Sequence, residues 1–278
     1  MNDRLEIGGV FANDFALERR RVRASFDRAA ERYDSAAGLQ RRAAERLLAH
    51  VAGHNIDPLA ILDAGCGTGY GAALLTAQYS EASLYCLDIA PSMLQRARTH
   101  LHAVPHICAD AEHLPLKRES IDLLWSNVML QWCNDLSATF AGFARVMASD
   151  GLLAFSTFGP QTLAELRAAF DSDHTHVSRF ADAAFIEATL RSIGFGEISI
   201  ERRSTVLRYP DVAALMRSLK TIGAGNATAG RARGLTGKGR WRAMRERYEA
   251  LRGPDGLPAT YELLYVTARK VSALRRSV

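Results

Sequence analysis

The sequence predicts an α/β protein built on a mostly parallel sheet, and three observations carry that expectation. Short apolar runs alternate with helical stretches between residues 59 and 157. Glycines at 65, 67, 69 and 71 follow the first run, and a helical stretch follows them. Beyond residue 160 the pattern changes to helices and two longer strand-like runs. Strands and helices alternating at this spacing require crossover connections, so neighbouring strands pair in parallel and helices cover both faces.

Each element has its own warrant. Residues 14–36 and 38–52 read as helices, rich in Ala, Arg, Glu and Leu, with Asp34-Ser35 and Gly38 as punctuation. Leu59 to Asp63 is the first strand, an apolar run closed by an acid. The glycines beyond it let the backbone turn and approach a ligand without Cβ obstruction. The helix Tyr70 to Gln78 then offers the free N–H groups of its first turn. Ser83 to Asp88 is the second strand, again ending in an acid, and Pro91 opens the next helix. Val104 to Cys108 is the third strand and Ile121 to Ser126 the fourth, followed by a helix from Leu136 to Met147. Leu152 to Thr157 is the fifth, after the turn Ser149-Asp150-Gly151. Helices are expected at 162–170 and 182–193, strands at 198–207 and 260–268, and further helices at 210–220 and 239–251. We read 1–278 as a single domain, with 14–52 covering the site and 208–258 inserted on its open side.

Composition narrows the class. At 278 residues and 48% hydrophobic, the chain is long enough to bury a large core. It has no run of about 18 apolar residues, so no membrane span is expected. The beginning, MNDRLEIGGVFAND, lacks an apolar signal region, and Cys66, Cys86, Cys108 and Cys133 form no C-x-x-C pair. A cytoplasmic location is expected. The net charge of +5 is concentrated at Arg19-Arg20-Arg21-Val22-Arg23 and along 231–247. These are either solvated helix faces or a surface for an acidic partner. Trp241 and Tyr248 are the only aromatic residues within 231–250, which argues against single-stranded nucleic acid.

The glycine loop admits two nucleotides. Gly67-x-Gly69-x-x-Ala72, with Asp88 further on, satisfies a dinucleotide fingerprint ending in alanine. Asp63, however, directly precedes the glycines, where it can face the amino end of an amino-acid-like ligand. Asp63, Asp88 and Asp110, each following a strand, suit a ligand with an ammonium, a ribose and an adenine amine, although each alone is an ordinary helix-cap or turn residue. That ligand is S-adenosyl-L-methionine. The blocks LDAGCGTGYG, LDIAPSML, ADAEHLPL, IDLLWSNVMLQW and GLLAFSTF resemble the class I S-adenosylmethionine-dependent methyltransferases over about residues 25–160. The resemblance implies a Rossmann-like, mostly parallel seven-stranded sheet. It also implies that Asp63, Gly65, Cys66, Gly67 and Gly69 hold the methionine part, while Asp88, beside Ile89, bonds the ribose. Met93 then packs near the adenine, and Asp110 and Ala111 meet its edge. Ser126 and Asn127 end the fourth strand, where ligands bind in open α/β sheets.

The tail resembles something narrower. FDRAAERYD (26–34), LQW (130–132), FSTFGPQTLAEL (155–166), HVSRF (176–180), LMRSLKTIGA (215–224) and GLPATYE (256–262) are similar to the malonyl-acyl-carrier-protein O-methyltransferases of biotin synthesis. This implies methylation of the free carboxylate of malonyl-acyl carrier protein, or of malonyl-coenzyme A. A carboxylate is already ionised near neutral pH, so no general base is expected. A cation to hold it is expected instead: Arg179 first, then Arg217 and Lys220. Tyr33, Gln131 and Trp132 are expected to shape the acceptor slot. His174 and His176 form H-x-H without a suitably spaced third ligand, so no metal is expected. Other readings are a methyltransferase with a different small acceptor, or a non-catalytic S-adenosylmethionine-binding assembly factor. Nucleic-acid methylation is disfavoured because Ser126-Asn127-Val128-Met129 is not an Asn-Pro-Pro-Tyr-like motif.

Overall fold

The computed structural model describes residues 17–170, 180–223 and 238–271. Its strands are β1 (Ala60–Ala64), β2 (Ser83–Asp88), β3 (His106–Cys108), β4 (Ile121–Asn127), β5 (Met147–Phe158), β6 (Phe195–Tyr209) and β7 (Leu257–Lys270). They form one sheet of order β3-β2-β1-β4-β5-β7-β6. The first five in that order pair in parallel. β7 enters antiparallel between β5 and β6. The order reverses between β1 and β4, which opens a crevice at the carboxyl ends of those strands.

Helices α3 (Gly38–Ala52) and α4 (Tyr70–Gln78) line one face, where Leu47, Val51, Leu75, Ile61 and Trp125 are buried together. Helices α6 (Leu136–Val146) and α8 (Ala183–Ile193) line the other, over Leu62, Leu124 and Phe155. Alternate residues of β1 therefore serve opposite cores, as burial on both faces demands.

Several boundaries differ from expectation. The helix expected at 14–36 is broken: α1 (Arg19–Ala29) ends in a turn, and α2 (Tyr33–Ala36) is a single turn before α3. Asp34 fixes that break by accepting from Thr68 Oγ1 at 2.7 Å. β1 starts at Ala60 because the Asp122 carboxylate accepts from the Leu59 and Ala60 N–H groups at 3.0 and 2.9 Å. Leu59 itself points into solvent, 75% exposed. β3 is shorter than expected because Pro105 has no N–H to continue the ladder. α5 (Pro91–Arg98) follows β2, and α7 (Ala164–Ala169) follows β5. The segment between β6 and β7 holds α9 (Val212–Thr221) and α10 (Lys238–Glu249). Among the described residues no helix is long and apolar enough to cross a membrane.

Candidate active site

The loop after β1 is shaped by two strands at once. The Gly65 and Cys66 N–H groups both donate to the Leu87 carbonyl, at 2.7 and 3.0 Å. Gly65 has φ +81°, and a Cβ there would meet the Met129 side chain, 2.7 Å from its Cβ. Only glycine combines that backbone with that approach. Gly67 N–H donates to Asp88 Oδ2 at 2.9 Å, while Asp88 Oδ1 accepts from Ala90 N–H at 2.8 Å. Gly69 caps α4.

Two adjoining clefts open beside this loop, of about 430 and 640 Å³. Tyr33, Gly65, Gly67 and Asn127 line both.

The smaller cleft is polar and holds a set of unpartnered atoms. Asp63 Oδ2, Gln40 Oε1, Arg41 Nε and Trp125 Nε1 are buried without a hydrogen-bond partner, and all four residues line it. Unpaired buried polar atoms are rare and call for an explanation. Two are acceptors, one of them a carboxylate, and two are donors, one of them a guanidinium. An amino-acid zwitterion is their complement. Burial, and then the nearby Asp88 charge, pushes the Asp63 carboxyl up to about 8. Burial and the like charge thus favour the protonated acid, and a cation brought beside Asp63 would favour the carboxylate instead. The expectation from sequence had included Asp63, Gly65, Cys66, Gly67 and Gly69 here; the first four line this cleft, whereas Gly69 lines neither cleft because it turns the chain into α4 as its cap. It had missed Gln40, Arg41 and Trp125. The available signal was Gln40, a polar residue on the buried face of α3 between Leu39 and Ala43.

The larger cleft is lined by Asp88, Ile89, Met93, Asp110 and Ala111, the residues named from the sequence for the ribose and adenine. Burial raises Asp88 to about 6, opposed by the N–H groups it accepts from. Each of its oxygens accepts one backbone N–H and so keeps further acceptor capacity, which suits a diol in the cleft that Asp88 lines. Met93 is fully buried with Ala29, Ala30 and Ala90, so α1 forms the lid of this pocket. Asp110 is already engaged: Arg19 Nε lies 3.0 Å from Oδ2, and Glu112 N–H donates to Oδ1 at 3.0 Å. Arg19 also pairs with Glu112 and donates to the Trp132 carbonyl at 2.8 Å. Arg19, within the 14–52 segment expected to cover the site, thereby ties α1 to the cleft wall.

The remaining expected residues divide. Burial, then Asp88 and Asp34, raises the Tyr33 phenol, so it stays neutral. Asn127 Nδ2 donates to the Gln40 carbonyl at 3.0 Å, and its Oδ1 accepts from Ser156 Oγ at 2.7 Å. Val128, next to it, holds φ +51°, an uncommon state for a β-branched residue. Trp132 lines the larger cleft edge-on to Phe26, with ring centroids 5.2 Å apart. Ser126 instead ties β4 to β1, donating to the Ala64 carbonyl at 2.8 Å, and lines neither cleft. Gln131 turns back to donate to the Val128 carbonyl at 2.7 Å and also lines neither. Arg217 and Lys220 lie on the exposed face of α9. Arg179, His174 and His176 fall outside the described residues. Among the described residues no cluster of His, Cys, Asp or Glu can hold a metal ion.

The sheet order, the glycine loop and an acid-lined crevice at the β1–β4 reversal define a class I methyltransferase. Residues 62–155 match the methyltransferase domain family. The malonyl-[acyl-carrier protein] O-methyltransferase of Methylovorus sp. (strain MP688) is 46% identical, covering 94% of this chain and 92% of its own. That of Gallionella capsiferriformans is 43% identical over 93% of each. The chain belongs to the malonyl-[acyl-carrier protein] O-methyltransferase family. The solved Haemonchus contortus phosphoethanolamine N-methyltransferase 2, in complex with S-adenosyl-L-methionine, shares the fold at TM-score 0.57 and 18% identity. That match covers 88% of this chain and 57% of the other.

Proposed function

We propose that this protein methylates the free carboxylate of malonyl-acyl carrier protein with S-adenosyl-L-methionine, at the start of biotin synthesis in the cytoplasm. The observation that carries this reading is the 46% identity to a relative of that name over nearly the whole of both chains. Bound S-adenosyl-L-methionine supplies an electrophilic methyl group on a sulfonium. In the smaller cleft, Asp63 and Gln40 suit its ammonium, and Arg41 and Trp125 its carboxylate. Asp88 suits the ribose hydroxyls. Ile89, Met93 and Ala111 offer an apolar slot for the adenine, with Asp110 at its edge.

Tyr33 and Asn127 belong where the two clefts meet, beside the reacting carbon. Tyr33 keeps its proton at physiological pH, so it donates a hydrogen bond to the acceptor and does not act as a base. The malonyl carboxylate needs no proton removed, and its attack is an in-line displacement. The chain's contribution is therefore alignment and exclusion of water, which together reach several kcal/mol or more in well-oriented reactions, roughly 7–11 at the extreme. Trp132 and Phe26 wall the site from solvent. Helices α1 to α3 cover the cofactor side, and α9 approaches the acceptor side through Gly223, just past its end and beside Phe26. Mass spectrometry of malonyl-acyl carrier protein after incubation with the protein and S-adenosyl-L-methionine should find a gain of one methyl group on the malonyl end. A folded, cofactor-binding sample that leaves this substrate unchanged sinks the proposal.

A further inference from the structure

We propose that the seam between α1 and α9 is the docking surface for an acidic carrier protein, with Arg28, Arg32, Arg217 and Lys220 as its cationic contacts. The inference rests on the functional reading above and assigns that partner a place. Ser25 Oγ donates to the Gly223 carbonyl at 3.0 Å, which pins the end of α9 to α1. Beside that bond, a Cβ on Gly223 would lie 2.9 Å from Phe26 Cδ1. Phe26 in turn lines the larger cleft against Trp132. The seam is therefore the outer rim of the site.

Four cations bracket it. Arg28 lies one helical turn beyond Ser25. Arg32 caps α2 immediately before Tyr33, which lines both clefts. Arg217 and Lys220 stand three residues apart on the face of α9 opposite buried Val212 and Leu215. All four are exposed, and among the described residues none forms an ion pair. Two of the neighbouring acids are otherwise engaged. Asp27 accepts from Ser92 N–H at 3.0 Å and faces Arg23. Asp34 accepts from Thr68 and faces Arg41. Glu31 remains exposed beside them.

Unpaired, solvated guanidinium and ammonium groups contribute little to folding. At the rim of a substrate cleft they steer and orient a partner of opposite charge. A protein fits better than single-stranded nucleic acid, because the rings on this rim, Phe26 and Tyr33, turn into the clefts and leave no stacking platform. A carrier seated on the seam presents its thioester arm between Tyr33 and Trp132. Arg217 and Lys220 then grip the carrier and not the malonyl carboxylate.

The test compares two acceptors with the same reacting end, malonyl-carrier protein and malonyl-pantetheine. In Arg28→Glu/Arg32→Glu, KM for the carrier-linked acceptor should rise about tenfold or more, with malonyl-pantetheine turnover within about twofold of wild type. The milder Arg28→Gln/Arg32→Gln should show a smaller rise, which guards against a folding defect. Arg217→Glu/Lys220→Glu should raise the carrier KM by a similar factor. For wild type, added salt should raise the carrier KM and leave malonyl-pantetheine nearly unaffected. Equal loss with both acceptors, an unchanged carrier KM, or loss of RNA retention in place of carrier use would overturn the docking surface. Wild-type protein that methylates neither acceptor would overturn the functional reading and the surface with it.

Discussion

Gly65→Ala isolates how tightly the loop after β1 is determined. At φ +81° an L-residue carries a backbone penalty of about 1–2 kcal/mol. The new methyl would also meet Met129, 2.7 Å from its Cβ, with its Cγ nearer still. Overpacking of this kind costs about 1–3 kcal/mol. The two effects sum to a destabilisation of about 2–5 kcal/mol, and each kcal/mol should lower Tm by about 2–4 °C in a domain of this size. Urea unfolding of a double-mutant cycle separates them. Combined with Met129→Gly, which removes both offending carbons, Gly65→Ala should cost about 1–3 kcal/mol less than in the parent. Combined with Met129→Ala it should recover only part of this, because that variant keeps the Cβ. Strict additivity across the cycle would refute the close approach and leave the backbone as the sole reason for glycine.

Further outcomes follow from the charged groups. Asp63 titrates near 8 in the folded protein, against about 3.9 for a free Asp side chain. Its proton is held in the folded state and lost in the unfolded one between those values, so ligand-free protein loses stability as pH rises from about 4 to about 8. Asp63→Asn should therefore melt higher than wild type at pH 8 and alike at pH 4, while S-adenosyl-L-methionine affinity falls at least about tenfold by calorimetry; a lower melting point at pH 8 would contradict the assigned pKa. Arg19→Ala removes the tie from α1 to Asp110, Glu112 and the Trp132 carbonyl. Because that side chain is 27% exposed, the effect is modest: about tenfold faster amide exchange across 19–29 and cofactor KM raised about 3–10-fold. Unaltered exchange would show that the lid is held by its apolar face alone. Ser156→Ala, at a fully buried position, removes the donor to the half-buried Asn127 Oδ1 and one acceptor of the Val128 N–H, and should cost about 1–2 kcal/mol in urea unfolding; no loss of stability would remove Ser156 from that role.

The cofactor half of the site was legible because its signals are local. Asp63, Gly65 and Asp88 stand in fixed relation to strand ends, and strand ends converge wherever an open parallel sheet reverses its order. The seven strands were legible for a similar reason, since each is a short periodic run between turn residues. Gln40, Arg41 and Trp125 were not. They come from a helix before β1 and from the middle of β4, and only packing brings them around Asp63. Gln40, polar among the apolar positions of α3, is the one local sign; nothing in the spacing of Arg41 or Trp125 distinguishes them from surface or core. The break between α1 and α2 was hidden for the same reason. It is imposed by Asp34 reaching Thr68, 34 residues away, while the intervening sequence has good helix formers throughout. Gln131 and Ser126 show the opposite error. Being near the right strand end is not the same as facing the cleft, and a residue at β4's end can equally tie β4 to β1 or close its own turn.

The distribution of charge also bears on why a carboxylate suits this site as acceptor. Transfer of a methyl group from a sulfonium cation to a carboxylate anion cancels two opposite charges as the bond forms. A low-dielectric surrounding raises the energy of the separated ions more than that of the partly neutralised transition state, so drying the cleft favours the reaction. Met93, Phe26 and Trp132 supply such a wall. A guanidinium held firmly on the acceptor would work against this, by stabilising the ionised ground state more than the transition state. The arginines that line the described clefts are both committed elsewhere: Arg19 to Asp110 and Glu112, and Arg41 toward Asp34 and the polar end of the smaller cleft. A neutral hydrogen-bond donor such as Tyr33 orients the carboxylate while costing its nucleophilicity less. Keeping the strong cations on the outer rim, where they recruit the carrier, separates capture of the substrate from the chemistry performed on it.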